Sequence, residues 1–276
     1  MAKNVLVTGG TGFIGRTVVD QLAERDYGVE SFDRSHGSDV LNKEQLREAM
    51  SDKQHVIHLA GVLGTDELFN DAHRAIDVNI HGTLNVLEVA QEVGAGYTGI
   101  IMPQVWRNVY QTTKNAAQNF AEAWHEQYGL PVSHVRAFNA FGPYQKVSGV
   151  QKILPTFATR AWRGEPIPVW GDGEQTVDLV HSRDVARMLI DAMDFGQCEV
   201  FDAGTGVEFT VNQVVDMVRT EADNSDSPIE YLPMRRGEKA VSIVAKGEGW
   251  DLLSWRPRFS IADLSDTVHW YKRDRP

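Results

Sequence analysis

One cysteine in 276 residues, Cys198, leaves no partner for an internal disulfide, so the fold must rest on its apolar core. Positive charge is also scarce. Lys and Arg number 27 against 38 Asp and Glu, giving a formal net charge of -11 and a pI near 5.3. Nucleic-acid backbones and anionic membrane surfaces would repel such a chain, so neither is expected as a partner, and an anionic ligand must meet a local basic patch. No apolar run approaches the ~20 residues of a bilayer-spanning helix. The opening MAKNVLVTGG lacks a basic-then-apolar leader pattern, so a cytoplasmic location is expected. Repeats, low-complexity tracts and long charge blocks are absent too. His55, His58 and His73 lack ligand spacing, and no metal site is expected.

What is present is alternation. NVLVTG, GVESFD, HVIHLAG, TGIIM and VSHVRAF read as buried strands, separated by helical stretches such as FIGRTVVDQLAER and DAHRAIDVNIHGTLNVLEVAQEVG. That order predicts an α/β fold whose parallel sheet is covered on both faces. After Gly142 the pattern loosens into Pro-rich connections and shorter elements, which suggests a smaller α/β lobe. The expected division is a first domain over 1–145, with 177–202 returning to it, and a substrate-binding lobe over 146–276. EADNSDSP is the nearest approach to a flexible linker.

VTGGTGFIG follows the first strand and opens the first helix. Gly9, Gly12 and Gly15 fall where a tight turn, close approach to a pyrophosphate and helix–strand packing each exclude a side chain, with Phe13 and Ile14 between them. The helix N-terminus then offers free N–H groups to phosphates. Asp33, closing the second strand, can accept hydrogen bonds from an adenosine ribose and would repel a 2′-phosphate. NAD is therefore expected, with Arg34 the one residue that favours NADP.

In IIMPQVWRNVYQTTK, Tyr110 and Lys114 lie four residues apart, on one helical face. An ammonium beside the phenol lowers a pKa that is otherwise near ~10, as an acid/base tyrosine requires.

These segments, with VIHLAG, DVNIHGTLNVLE, RAFNAFGP, GDGEQTVDLVHSRDVA and RRGE, resemble the extended short-chain dehydrogenase/reductase family, and within it the nucleotide-sugar epimerases and dehydratases. The resemblance runs in unbroken order through nearly the whole chain. It implies a Rossmann-type doubly wound NAD domain, a C-terminal sugar-nucleotide lobe, and chemistry that begins by oxidising a sugar hydroxyl. Carried over, it makes Tyr110 the acid/base and Lys114 the partner that holds the nicotinamide ribose and tunes the phenol. Asn79 braces the active-site helices. Asp39 and Val40 meet the adenine, and Leu59, Ala60 and Gly61 line the cofactor. Thr65, Asn139 and Arg235 face the nucleoside-diphosphate sugar, Asn139 and Arg235 at its diphosphate. Segments 66–94 and 108–128 resemble the helices that pair into a four-helix interface, so a homodimer is expected.

The departures narrow the chemistry. Met102 stands where the family carries a Ser or Thr hydroxyl, and Pro103 and Gln104 replace the acidic pair of the 4,6-dehydratases. Val177 replaces an arginine that grips the diphosphate, so Arg235 or Arg236 has to compensate, and the stretch before Tyr110 is short. The reading that results is a C4 epimerase (an isomerase) working through a 4-keto intermediate. Its rivals are a dehydratase or reductase with relocated groups at Thr65, Asp66 and Glu67, and a non-catalytic protein that binds NAD or a sugar nucleotide.

Overall fold

The computed structural model describes residues 3–103, 105–224 and 226–273. The first half runs β1 (Asn4–Thr8), α1 (Phe13–Glu24), β2 (Gly28–Phe32), α2 (Lys43–Met50), β3 (His55–His58), α3 (Ala72–Ile76), α4 (Gly82–Val93), β4 (Gly96–Ile101), α5 (Val109–Tyr128) and β5 (Val132–Ala137). There follow β6 (Asn139–Phe141), α6 (Ile153–Arg163), β7 (Ile167–Trp170), β8 (Thr176–Val177), β9 (Leu179–His181), α7 (Ser182–Asp191), β10 (Gln197–Ala203), β11 (Phe209–Thr210), α8 (Val211–Glu221), β12 (Ile229–Leu232) and α9 (Leu264–Trp270).

Six strands form one parallel sheet in the order β10-β5-β4-β3-β1-β2. Its central strands are continuous buried runs, as expected where helices cover both faces. The pleat sends Val5 and Val7 of β1 to a core shared with α1 and α7, and Leu6 to the opposite core under α2 and α4. Each such side chain contributes ~1.5–3 kcal/mol by its burial. From β1 the chain crosses to β2 on one side and then to β3 on the other. The connections leaving the carboxyl ends of β1 and β3 therefore diverge and open the crevice where open α/β sheets take ligands.

α7 packs on α1, and β10 adds to the sheet beside β5. α6, α8, α9 and β7 enclose a separate core around Phe157, Ala161, Val169, Val214 and Val268. The two cores are tied by buried carboxylates. Asp178 accepts from Thr205 N (2.7 Å), Gly206 N (2.9 Å) and Ala245 N (3.0 Å), and Asp184 accepts from the amides of Arg258 (2.8 Å) and Phe259 (2.9 Å). These bonds pin an irregular segment that delivers Trp255 into the first core.

Two local expectations change. The helical stretch from Ala72 to Val93 contains a π turn at Asp77–His81, an extra residue that sets Asn79 into the interior. The EADNSDSP stretch is anchored rather than loose: Asn224 Nδ2 donates to Ala161 O at 2.8 Å and the buried Ser227 hydroxyl to the same oxygen at 3.3 Å, while Ser225 lies outside the described residues.

Candidate active site

Backbone builds the crevice. Gly9 turns the chain at φ +71°, and a Cβ there would stand 2.8 Å from Ala60 N; at Gly15 it would lie 2.1 Å from Gly9 O. Neither position admits a side chain. Gly12 is open beyond Gly9 O at 3.1 Å, and as N-cap of α1 it provides no side-chain acceptor. The first amides of the helix, those of Phe13 and Ile14 among them, therefore remain for a ligand. The Ile14 side chain itself packs into the core.

Asp33 follows β2, with Ser35 N donating to Oδ1 (2.9 Å) and Thr11 N to Oδ2 (3.3 Å). Burial pushes its carboxyl up, but these hydrogen bonds outweigh it and hold the group below its ordinary range, so it is ionised. Arg34 is exposed, with Asp39 3.8 Å away. Asp39 Oδ1 caps its own turn through Leu41 N at 3.0 Å, and Val40 is buried against Gly82. Leu59 and Ala60 donate their amides to Thr8 Oγ1 at 3.1 and 3.2 Å, which shapes the other wall as far as Gly61. A glycine cradle, an uncapped helix and an ionised carboxylate after β2 fit a dinucleotide.

α5 begins at an Asn108 cap, whose Oδ1 accepts from Gln111 N at 2.8 Å. Two residues on, Tyr110 and Lys114 share a face of the helix. Both are half-buried, and neither the phenol oxygen nor the ammonium has a hydrogen-bonding partner among the described residues. Protein packed around them raises the Tyr110 pKa and brings that of Lys114 down to about 8. Asn79 locks this helix to the crevice: Oδ1 accepts from Val62 N (2.8 Å) and Nδ2 donates to Thr113 Oγ1 (3.0 Å). Met102, half-buried just after β4, brings no hydroxyl, and Gln104 lies outside the described residues.

The loop that meets the start of α5 carries charged side chains. Arg235 lies 4.8 Å over the Trp170 ring and pairs through Nε and Nη2 with Glu238, the Nε contact being 3.1 Å. Arg236, named as a substitute for the missing arginine at Val177, is instead held by Asp66 at 2.9 Å over Phe69. Val177 is buried in the strand pair with Phe209. Thr65 is half-buried beside this contact. The Asn139 backbone is fixed by Asp178 O at 3.0 Å, and its side-chain amide takes no partner among the described residues.

Sequence reading passed over Lys152. It is half-buried next to Arg235, Glu67 and Glu238; burial and then Arg235 lower its pKa, against the two carboxylates. No motif marks it, because its neighbours come from two segments distant in the chain. A groove of about 390 Å³ between α6, β7 and β12, lined by Val147, Gln151, Pro155, Trp170 and Leu232, continues from Arg235. The short 102–108 connection is covered by the Arg235 loop: Asn108 Nδ2 donates to Gly237 O (3.2 Å) and Trp106 Nε1 to Lys239 O (3.1 Å). Asn108 was legible in principle, since Asn followed by Gln three residues later is a helix-start signal.

The model of the NAD dependent epimerase/dehydratase family matches residues 5–99 and 101–204. The chain belongs to that family. NAD is its cofactor, and the crevice just described is the fitting place for it. Similar proteins span the family's reactions. A putative UDP-glucose 4-epimerase of Methanocaldococcus jannaschii is 26% identical, over 98% of this chain and 99% of that one. The UDP-glucose 4-epimerase of Thermotoga maritima, solved with UDP-glucose, is 28% identical with a TM-score of 0.91, covering 98% of this chain and 99% of its own. A dTDP-glucose 4,6-dehydratase of Streptomyces venezuelae, solved with NAD, is 25% identical with a TM-score of 0.88, covering 99% and 98%.

Proposed function

We propose that this family member is an epimerase of a nucleoside-diphosphate sugar, acting at C4 through a transient 4-keto sugar. The observation that carries this reading is the Tyr110–Lys114 pair, half-buried and unpartnered among the described residues, with Met102, and no carboxylate, just after the strand that precedes it. Tyr110 accepts the C4 hydroxyl proton and later returns it. Lys114 keeps a cation beside the phenol, against the burial that holds the resting phenol protonated. NAD, when bound, supplies the two-electron exchange at C4. Arg235 offers Nη1 to the diphosphate while Glu238 and Trp170 hold its plane, and Lys152 and Asn139 complete the site. The groove beside Trp170 takes the nucleoside. A short, hydroxyl-free 102–108 connection leaves the sugar room to turn and present its other face.

In this reading NAD belongs to 1–145 with 177–202, the sugar nucleotide to 146–276, and the protein is a cytoplasmic homodimer joined through α4 and α5. Light scattering at micromolar concentration tests the dimer.

One observation favours dehydration: Glu67 Oε2 is buried without a hydrogen-bonding partner, while Oε1 accepts from Gln151 N at 3.2 Å. A carboxylate so placed is available as a relocated base. The deciding experiment is a thermal-shift screen of UDP- and dTDP-sugars, followed by NMR of the product. A C4 epimer at unchanged mass supports epimerisation, loss of water supports dehydration, and stabilisation without turnover makes the protein a binder.

A further inference from the structure

A chain of buried hydrogen bonds joins the dinucleotide crevice to α5, and an unassigned histidine stands in its middle. Thr8 Oγ1 already accepts from Leu59 N and Ala60 N at 3.1 and 3.2 Å, so its own proton is left for His58 Nδ1, 2.7 Å away. With Nδ1 accepting, the imidazole hydrogen sits on Nε2 and donates to Thr83 Oγ1 at 3.0 Å. Thr83 passes its hydrogen to Asn79 O at 2.7 Å. Asn79 Nδ2 donates to Thr113 Oγ1 (3.0 Å), and Thr113 donates to the carbonyl of Tyr110 (3.0 Å). Leu59 N is shared with Thr8 O (3.1 Å) and Asn79 Nδ2 also donates to Val62 O (3.1 Å), while the Thr83 bond to Asn79 O sets the direction at His58 Nε2.

We infer that His58 is a positioning residue of the redox site, a neutral Nε2–H imidazole that sets the register between the cofactor-facing loop after β3 and the α5 turn bearing Tyr110 and Lys114. The inference rests on the reading of Tyr110 as the acid/base. Three features single out His58 from an ordinary core histidine. It is 2% exposed with both ring nitrogens satisfied, whereas His134, on β5, has both nitrogens without a hydrogen-bonding partner. Thr8, its partner at Nδ1, is the group that receives the two amides shaping the crevice wall. The far end of the chain is the carbonyl of Tyr110 itself. A protonated ring would set a second N–H against Thr8 and a second cation near Lys114; burial, then Lys114, hold the His58 pKa to about 3. His58 therefore transfers no proton near neutrality and acts through position alone. An ångström of drift between crevice and phenol costs about 10²-fold in rate.

Two measurements test this, and the first needs no substrate. Long-range ¹⁵N–¹H NMR of the parent with NAD should show His58 as a neutral Nε2–H tautomer from pH 8 to 5; an Nδ1–H tautomer, or protonation in that range, overturns the inference. Second, tyrosinate absorbance of the NAD complex, read as the difference from Tyr110→Phe, should move up by about one pH unit in His58→Phe, with kcat down about tenfold or more and KM for the sugar nucleotide within about twofold. An unmoved Tyr110 ionisation in folded His58→Phe would make His58 merely structural. If His58→Phe does not fold, His58→Asn, which keeps an acceptor for Thr8, replaces it, and the parent tautomer still decides. A parent that turns over no sugar nucleotide defeats the epimerase reading, while the tautomer and the tyrosinate shift still judge His58.

Discussion

In the dinucleotide crevice the polar groups are backbone amides and one ionised carboxylate; around Trp170 they are Lys152 and Arg235, with Glu238 and Glu67 close by. The first site is rigid because its parts are secondary structure: a strand end, a glycine turn and a helix N-terminus. The second is assembled from three segments and is charge-compensated before any ligand arrives. A diphosphate at Arg235 adds to an existing ion pair, so its gain is smaller than for a bare arginine. The difference suits a resident cofactor on one side and an exchanging substrate on the other.

Removing chemistry while leaving both sites intact should give the largest effect. Tyr110→Phe is expected to lower kcat/KM by about 10² to 10⁴ while NAD affinity holds, compared by NMR turnover and by titration with NAD. Turnover equal to the parent would make the pair a relic. Arg235→Ala should raise the sugar-nucleotide KM by about 10- to 100-fold and leave NAD alone; a parallel loss of both would erase the contrast between the two sites.

Acid should loosen the crevice first. His55 and His58 on β3 and His134 on β5 are held neutral by burial, at about 3, about 3 and about 4, Lys114 adding to the effect at His58 and His134. Their folded pKa values lie below the unfolded ~6.5, so the unfolded chain takes up protons first as pH falls, and stability is lost below ~6.5. Thermal unfolding from pH 7 to 5.5 should register about 1 kcal/mol per histidine, with NAD released before folding is lost. A flat profile would show these rings protonating in place.

Asp33→Ala should narrow the preference for NAD over NADP about tenfold, since it removes one repelled charge. Equal affinities in the parent would sink that account of Asp33. Smallest of all, Met102→Ala should cost less than about tenfold in kcat/KM, as expected of an apolar pocket wall. A larger loss would mean that the thioether orients the sugar.

The two sites were not equally legible. The glycine turn, Asp33, and the Tyr110–Lys114 spacing are local patterns, and a local pattern dictates local geometry. Arg235 was nameable from its motif, yet its stacking on Trp170 and its pairing with Glu238 depend on where β7 ends. The expectation that Arg235 or Arg236 stands in for the arginine replaced by Val177 met, at Arg236, a competing carboxylate, Asp66, 170 positions away in the chain. Lys152 carried no signal at all.

By itself, then, the sequence determined the parallel sheet, the crevice and the helix that carries Tyr110 and Lys114, because periodicity and glycine placement act over a few residues. Tertiary structure alone decided the charge balance of the substrate cleft, the π turn that brings Asn79 inward, and the proton order of the chain from Thr8 through His58 to Tyr110. The contacts that decide them include Thr8 with His58, Asn79 with Thr113 and Arg236 with Asp66, donors and acceptors that meet only once water is excluded and that no short window of sequence contains.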